Sequence, residues 1–165
     1  MSALSFFDVA AIFVETSLEV VAAEHEALEK SAQLVEKRAK AIIGHYQDDT
    51  GPFDKWADLA DSTIADKTAQ GYAPPDNPLL RDGSMRDSIE HTTGAHTALV
   101  GSDSDIAVYQ ELGTHGPGVG PSGYHVPPRS FLGAAAFQKE DEVAEMLGIA
   151  ALEMVFNGKP MKSIK

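Results

Sequence analysis

TSLEVVAAEHEALEKSAQLVEKRAKAIIGHYQ, residues 16–47, carries the strongest periodic signal in the chain. Leu18, Val21, His25, Leu28, Ala32, Val35, Ala39, Ile42 and Tyr46 follow one another at alternating steps of three and four, the repeat of one face of an α-helix. Thr16 with Glu19 three residues on forms a capping box that predicts the helix start. The apolar stripe is narrow, so the opposite face is expected to meet water or a polar partner. Residues 48–52, DDTGP, end the element, since glycine and proline are the poorest helix formers. A run of about four heptads closed by a loop favours packing across a small sheet, with a two-stranded coiled coil as the alternative.

Upstream, residues 1–14 are apolar but lack a basic leader and contain Asp8. They are too short to cross a bilayer and read as a short helix entered at Ser5. Downstream, residues 53–70 read as one or two helical turns carrying Phe53, Trp56, Leu59 and Ile64, and 71–78 as an irregular Pro-rich connector. Leu79 and Leu80 ahead of Asp82-Gly83 suit an apolar pair locked by a tight turn. Ser88–Thr93 and His96–Gly101, separated at Thr93-Gly94, predict a hairpin. Residues 104–112, SDIAVYQEL, are a helix by their caps or a strand by their Ile-Ala-Val-Tyr run, and periodicity leaves both open.

Residues 113–129 hold much of the chain's glycine and proline. Such a segment loses little by staying unfolded alone, so outside contacts are expected to order it. Ser130 is expected to cap a last helix over roughly 131–156, with Leu132, Ala136, Val143, Leu147, Ala150 and Met154 on one face, stopped by Asn157-Gly158-Lys159-Pro160. The fold class is therefore α+β: a long N-terminal and a C-terminal helix packed on a small antiparallel sheet, with a long Gly/Pro-rich loop. The expected organisation is an arm or short helix over 1–15, a single α+β domain over 16–158 and a basic tail over 159–165.

Of 165 residues, 25 are acidic and 13 basic, for a net charge of −12. That balance argues against a domain that grips duplex DNA through its phosphates. The absence of cysteine excludes disulfide frameworks, thiolate zinc sites and cysteine nucleophiles. Gly118–Gly123, GVGPSG, fits G-x-G-x-x-G on spacing, but its flanks cannot supply the strand and helix that a dinucleotide needs. Six histidines, at 25, 45, 91, 96, 115 and 125, form no ligand pair on a helix. His91 with His96 and His115 with His125 flank turns where a bridging metal is conceivable, but hydrogen-bonded or solvated imidazoles are the expectation. The acidic clusters, among them Asp48-Asp49 and Glu140-Asp141-Glu142, read as turn and helix-surface charges. No catalytic residue, cofactor or metal site is expected.

Four blocks stand in order through the middle of the chain. They are Trp56-Ala-Asp-Leu-Ala-Asp-Ser-Thr-Ile64 with Lys67; Pro78-Leu-Leu-Arg-Asp-Gly-Ser-Met-Arg-Asp-Ser-Ile89; Val100-Gly-Ser with Ile106-Ala-Val-Tyr-Gln-Glu-Leu-Gly-Thr-His115; and Val126-Pro-Pro-Arg-Ser-Phe-Leu-Gly133. The series resembles the small neck or tail-completion proteins of long-tailed bacteriophages, the virion morphogenesis and lambdoid minor-tail-component group. It covers about residues 56–133. The chain departs from that pattern at Asp82-Gly83, where the family has Thr-Gly, and at Pro128-Arg129-Ser130, where a small residue precedes Arg-Pro.

The resemblance implies a structural protein of the virion, at the head–tail junction or tail top, that forms a ring of six or twelve copies. Its partners would be neighbouring neck, portal-adaptor or tail proteins, with assembly in the host cytoplasm and no membrane. DNA would pass nearby without specific binding, because an acidic lumen repels it. Expected subunit or partner contacts are Tyr109, Glu111, His115, Tyr124, Arg129 and Phe131, with Lys159, Lys162 and Lys165 gripping an acidic neighbour. Arg129 beside Pro128 is expected either to meet an acidic neighbour bidentately or to stand exposed. Trp56, Leu79, Leu80, Gly83 and Gly113 are expected in the core or at turns. Two other readings stay open: a coiled-coil adaptor, and a metal-dependent hydrolase using the His-bearing glycine loop.

Overall fold

The computed structural model describes residues 6–114 and 126–156. Among them are α1 (Phe6–Ile42), α2 (Asp61–Ala69), α3 (Ser84–Asp87), β1 (Ile89–Thr93), β2 (Ala98–Ser102), α4 (Asp105–Leu112), α5 (Leu132–Gln138) and α6 (Glu140–Phe156). The two strands form one antiparallel hairpin, and the class is α+β. Gly94 N–H donates to Thr97 carbonyl at 2.7 Å and closes the turn between them.

Three local expectations change. The helix predicted to start at Thr16 runs unbroken from Phe6, because residues 6–42 contain neither glycine nor proline and offer no inexpensive place to stop. Residues 104–112, left open above, are helical from Asp105. The last helix is two: Lys139 leaves helical geometry, and its N–H is shared among the Ala135, Ala136 and Phe137 carbonyls. No Gly or Pro marks that break, so a pattern reading passes over it.

The described chain forms two compact units. One holds α1 as far as Ala32, hairpin residues Thr92–Leu99 and α6 from Asp141. Ala27, Ser31, Ala32 and Ala150 are its buried residues, while Val21 and His25 of the predicted stripe are exposed. Glu29 accepts from the Thr93 hydroxyl at 2.6 Å, and Glu24 meets His96 Nδ1 at 2.9 Å, so α1 carboxylates hold the hairpin tip.

The other unit, Gln33–His91 with Val100–Glu140, contains the principal core. Ala39 and Ile42 of α1 and Ile43 just after it pack with Trp56, Met85, Ile89, Ala107, Phe131, Ala134 and Ala135. Leu79 and Leu80 are half-buried against this cluster, and Pro78 beside them is fully enclosed. Gly83 takes φ +90° as the N-cap of α3, a conformation that favours glycine and accounts for the tight turn after Asp82.

In this unit Glu36 of α1 accepts from Lys40 one turn on, at 2.5 Å, and from His91 of β1. Those two bonds hold its carboxyl below the usual carboxylate range. A depressed pKa contributes stability above the unfolded carboxylate's value of about 4.3 and loses it as the pH falls through the folded value. Glu36→Gln should therefore cost about 1 kcal/mol at neutral pH, and the gap from wild type should close on acidification below about pH 4. Urea unfolding of both proteins across that range checks it; a gap that persists in acid would refute the assignment.

Candidate functional site

Residues 126–133, VPPRSFLG, are where the chain's polar contacts converge. Proline cannot donate a ladder bond, so this stretch cannot join the sheet and its backbone groups must find partners elsewhere. Thr114 N–H donates to Val126 carbonyl at 3.0 Å, and Val126 N–H returns to the Thr114 hydroxyl at 3.2 Å. Gly113 makes that approach possible. With φ +70°, any Cβ added there would come within 2.8 Å of the Val126 carbonyl oxygen and 2.9 Å of Pro128 N. Arg129 N–H then donates to Gln110 carbonyl at 2.7 Å, so the segment runs alongside the end of α4.

Glu111 completes the arrangement. One carboxylate oxygen accepts from Ser130 Oγ at 2.5 Å and Gly133 N–H at 2.9 Å; the other accepts from the N–H groups of Phe131 at 2.7 Å and Leu132 at 2.9 Å. The three N–H groups are orphan donors at the start of α5, and a carboxylate there also faces the positive end of the helix. The sequence reading gave this capping role to Ser130, whose hydroxyl instead donates to Glu111. Glu111 itself, expected at a subunit contact, is half-buried and occupied inside its own chain.

Arg129 and Phe131 are corrected in the same direction. Arg129 is 6% exposed and meets no acidic residue: Nε and Nη2 both donate to Ala57 carbonyl, at 3.3 and 3.0 Å, and Nη2 also to Asp58 carbonyl at 3.3 Å. Burial holds its pKa below the ordinary value. Phe131 is wholly enclosed in the core. Trp56, the sole tryptophan, is buried as expected and its indole N–H reaches Ser130 carbonyl at 3.3 Å. Three blocks far apart in sequence thus meet on residues 129–133. No spacing rule reveals that meeting; the hint is an invariant need for polar partners in a segment that begins Pro-Pro.

The outer side of α4 is the opposite in character. Ala107 is its buried residue, whereas Ile106, Val108, Tyr109 and Leu112 are 58%, 50%, 55% and 68% exposed. Tyr109, expected at an interface, is therefore available to one. His115, Tyr124, Lys159, Lys162 and Lys165 lie outside the described residues.

Beside α4 the same unit has a cleft of about 670 Å³, lined among others by Leu59, Lys67, Arg81, Met85, Gln110 and Arg129. Lys67 is 4% exposed and donates to Asn77 carbonyl at 2.7 Å. Burial, with the Arg81 guanidinium near it, holds its pKa below the ordinary value. Arg81 pairs with Asp66 and stacks over Tyr72, 5.2 Å from the ring centre. Among the described residues no group of three or more His, Asp or Glu side chains is placed to hold a metal ion, and no helix is long and apolar enough to cross a membrane.

Glu111→Ala should destabilise the chain by about 3 kcal/mol, since four donors lose a charged acceptor, and Glu111→Gln, which keeps one carbonyl oxygen, by less. Denaturant unfolding measures both; a loss under about 0.5 kcal/mol for the alanine variant would remove Glu111 from this role.

Set against family models, curated proteins and solved structures, the chain matches none, so the resemblance of residues 56–133 rests on the blocks themselves.

Proposed function

We propose that this chain is a structural protein of a bacteriophage neck or tail top, and that its copies join in a ring through the outer face of α4. The observation that carries the reading is the exposure of Ile106, Val108, Tyr109 and Leu112 on one eight-residue helix. Single exposed apolar residues are ordinary, but four on one short helix form a patch of the kind that marks protein contacts. The helix is also anchored from behind, through Glu111, Gln110 carbonyl and Gly113, so the patch is presented with little freedom left to lose on docking.

The resemblance supplies the place of work, and the charge suits it. A ring of chains each carrying −12 surrounds passing DNA with repulsion and lets the genome slide. A patch on one side of each copy that meets a different surface on the next is a heterologous contact, and such contacts close into rings when the rotation between neighbours fits. The work done in this reading is fitting and joining, with no reaction.

Leu112→Asp and Tyr109→Glu change residues that contribute little to the chain's own packing, so both should leave the far-ultraviolet circular dichroism and unfolding midpoint nearly unchanged. Both should abolish ring formation, read by native mass spectrometry and electron microscopy of purified protein and of particles assembled in infected cells. Rings that form normally with either charge in place would overturn the α4 interface, and a wild-type protein that is absent from virions would overturn the reading as a whole.

A further inference from the structure

The cleft beside α4 has a floor and a rim of opposite character. On its floor are Lys67 and Arg129, both more than nine-tenths buried, and among the described residues neither has a carboxylate within 4 Å. Their hydrogen bonds go to the carbonyls of Asn77, Ala57 and Asp58, which leaves two N–H groups on the Lys67 ammonium and those of Arg129 Nη1 unassigned. The acidic lining residues, Asp58, Asp66 and Asp82, are exposed. Asp66 is engaged by Arg81 and Gln70, and Asp82 by the N–H and hydroxyl of Ser84. Charges in water are screened more than those on a low-dielectric floor, so Lys67 and Arg129 weigh more on the interior than exposed Asp58, with the Asp76 carboxylate acting on Lys67 from nearby. Gln110 also lines the cleft, and its buried Oε1 has no hydrogen-bond partner among the described residues, so a ligand reaches it once the side chain turns toward the cleft. Such an atom carries a cost unless something fills it.

We propose that this cleft binds an acidic peptide segment of a partner protein, with side-chain carboxylates on Lys67 and Arg129 and a peptide N–H on Gln110 Oε1. Carboxylates match the two buried cations in charge, and a backbone N–H matches the one unfilled acceptor. A peptide carries both kinds of group, whereas inorganic phosphate at neutral pH or a free carboxylate offers chiefly the first. The cleft's 670 Å³ lies within the range of sites that enclose drug-sized ligands, and Leu59 and Met85 give an extended chain apolar walls. The site is complete within one copy and does not depend on ring formation.

The test uses the full chain and three probes: the peptide Ac-Gly-Asp-Glu-Asp-Gly-NH2, its neutral counterpart Ac-Gly-Asn-Gln-Asn-Gly-NH2, and inorganic phosphate, followed by calorimetry and by amide chemical shifts. The acidic peptide should bind and shift resonances of residues 58–67 and 106–110, and the neutral one should not. Lys67→Met should weaken binding about tenfold, the effect of losing one charge-assisted contact. Gln110→Leu should weaken it as well while leaving the fold as stable or more so, because it removes an unfilled polar atom. Equal binding of both peptides, no binding of either, or phosphate binding as tightly at the same residues would each overturn the proposal. So would a Gln110→Leu protein that binds the acidic peptide undiminished.

Discussion

The four-donor contact at Glu111 is the constraint on which the rest of the second unit hangs. A segment beginning Val-Pro-Pro cannot satisfy its backbone in a sheet, and the helix that follows it starts with unpaired N–H groups. A half-buried carboxylate from α4 answers three of those N–H groups and the Ser130 hydroxyl at once, at 2.5–2.9 Å. Because Glu111 lies some twenty residues upstream, the bond also fixes where α4 lies against α5. Phe131 is then carried into the core cluster that also holds Trp56 and Ile42, and Ala134 and Ala135, with small side chains, let α5 approach closely.

Arg129 applies the same logic in reverse. Its guanidinium is held among carbonyl oxygens of residues 57 and 58, the chain just after Trp56. Trp56 answers through its indole N–H to Ser130 carbonyl. Donors and acceptors on the two irregular stretches, 56–58 and 129–130, therefore cross over each other. Neither stretch has regular secondary structure, yet each is fixed by bonds that an open loop would lack. Lys67 extends the pattern by holding Asn77 carbonyl, just before the enclosed Pro78 that leads into α3 and β1.

What the sequence conveyed was the set of local structures whose cause is local. The three-four stripe marked α1, turn residues marked the hairpin, and Gly83 and Gly113 stood where φ had to be positive. Trp56 was expected in the core because a lone tryptophan beside Leu59 and Ile64 has little other use. What stayed hidden was long-range and polar. Glu111 looks like any helix-surface acid, since nothing nearby in sequence reveals that four donors await it. Arg129 beside proline looks like an interface residue until the carbonyls of Ala57 and Asp58 are seen to occupy it. The break at Lys139 was missed for a different reason, as no helix-breaking residue accompanies it.

The two faces of α4 connect these internal bonds to the proposed work of the chain. An interface helix that must itself be ordered on docking loses part of its binding free energy to that ordering, about 0.5–1.5 kcal/mol for each immobilised side chain and more for backbone. Here the ordering is met during folding, by Glu111 and Gly113 at one end and by buried Ala107 in the middle. Ile106, Val108, Tyr109 and Leu112 then stand on a scaffold already fixed, and their apolar area is free to act between molecules. A chain that sets a four-donor carboxylate contact behind an apolar face, and leaves the face itself in water, has the division of labour that the proposed assembly requires: polar bonds set the shape within a copy, and apolar burial between copies would supply the association.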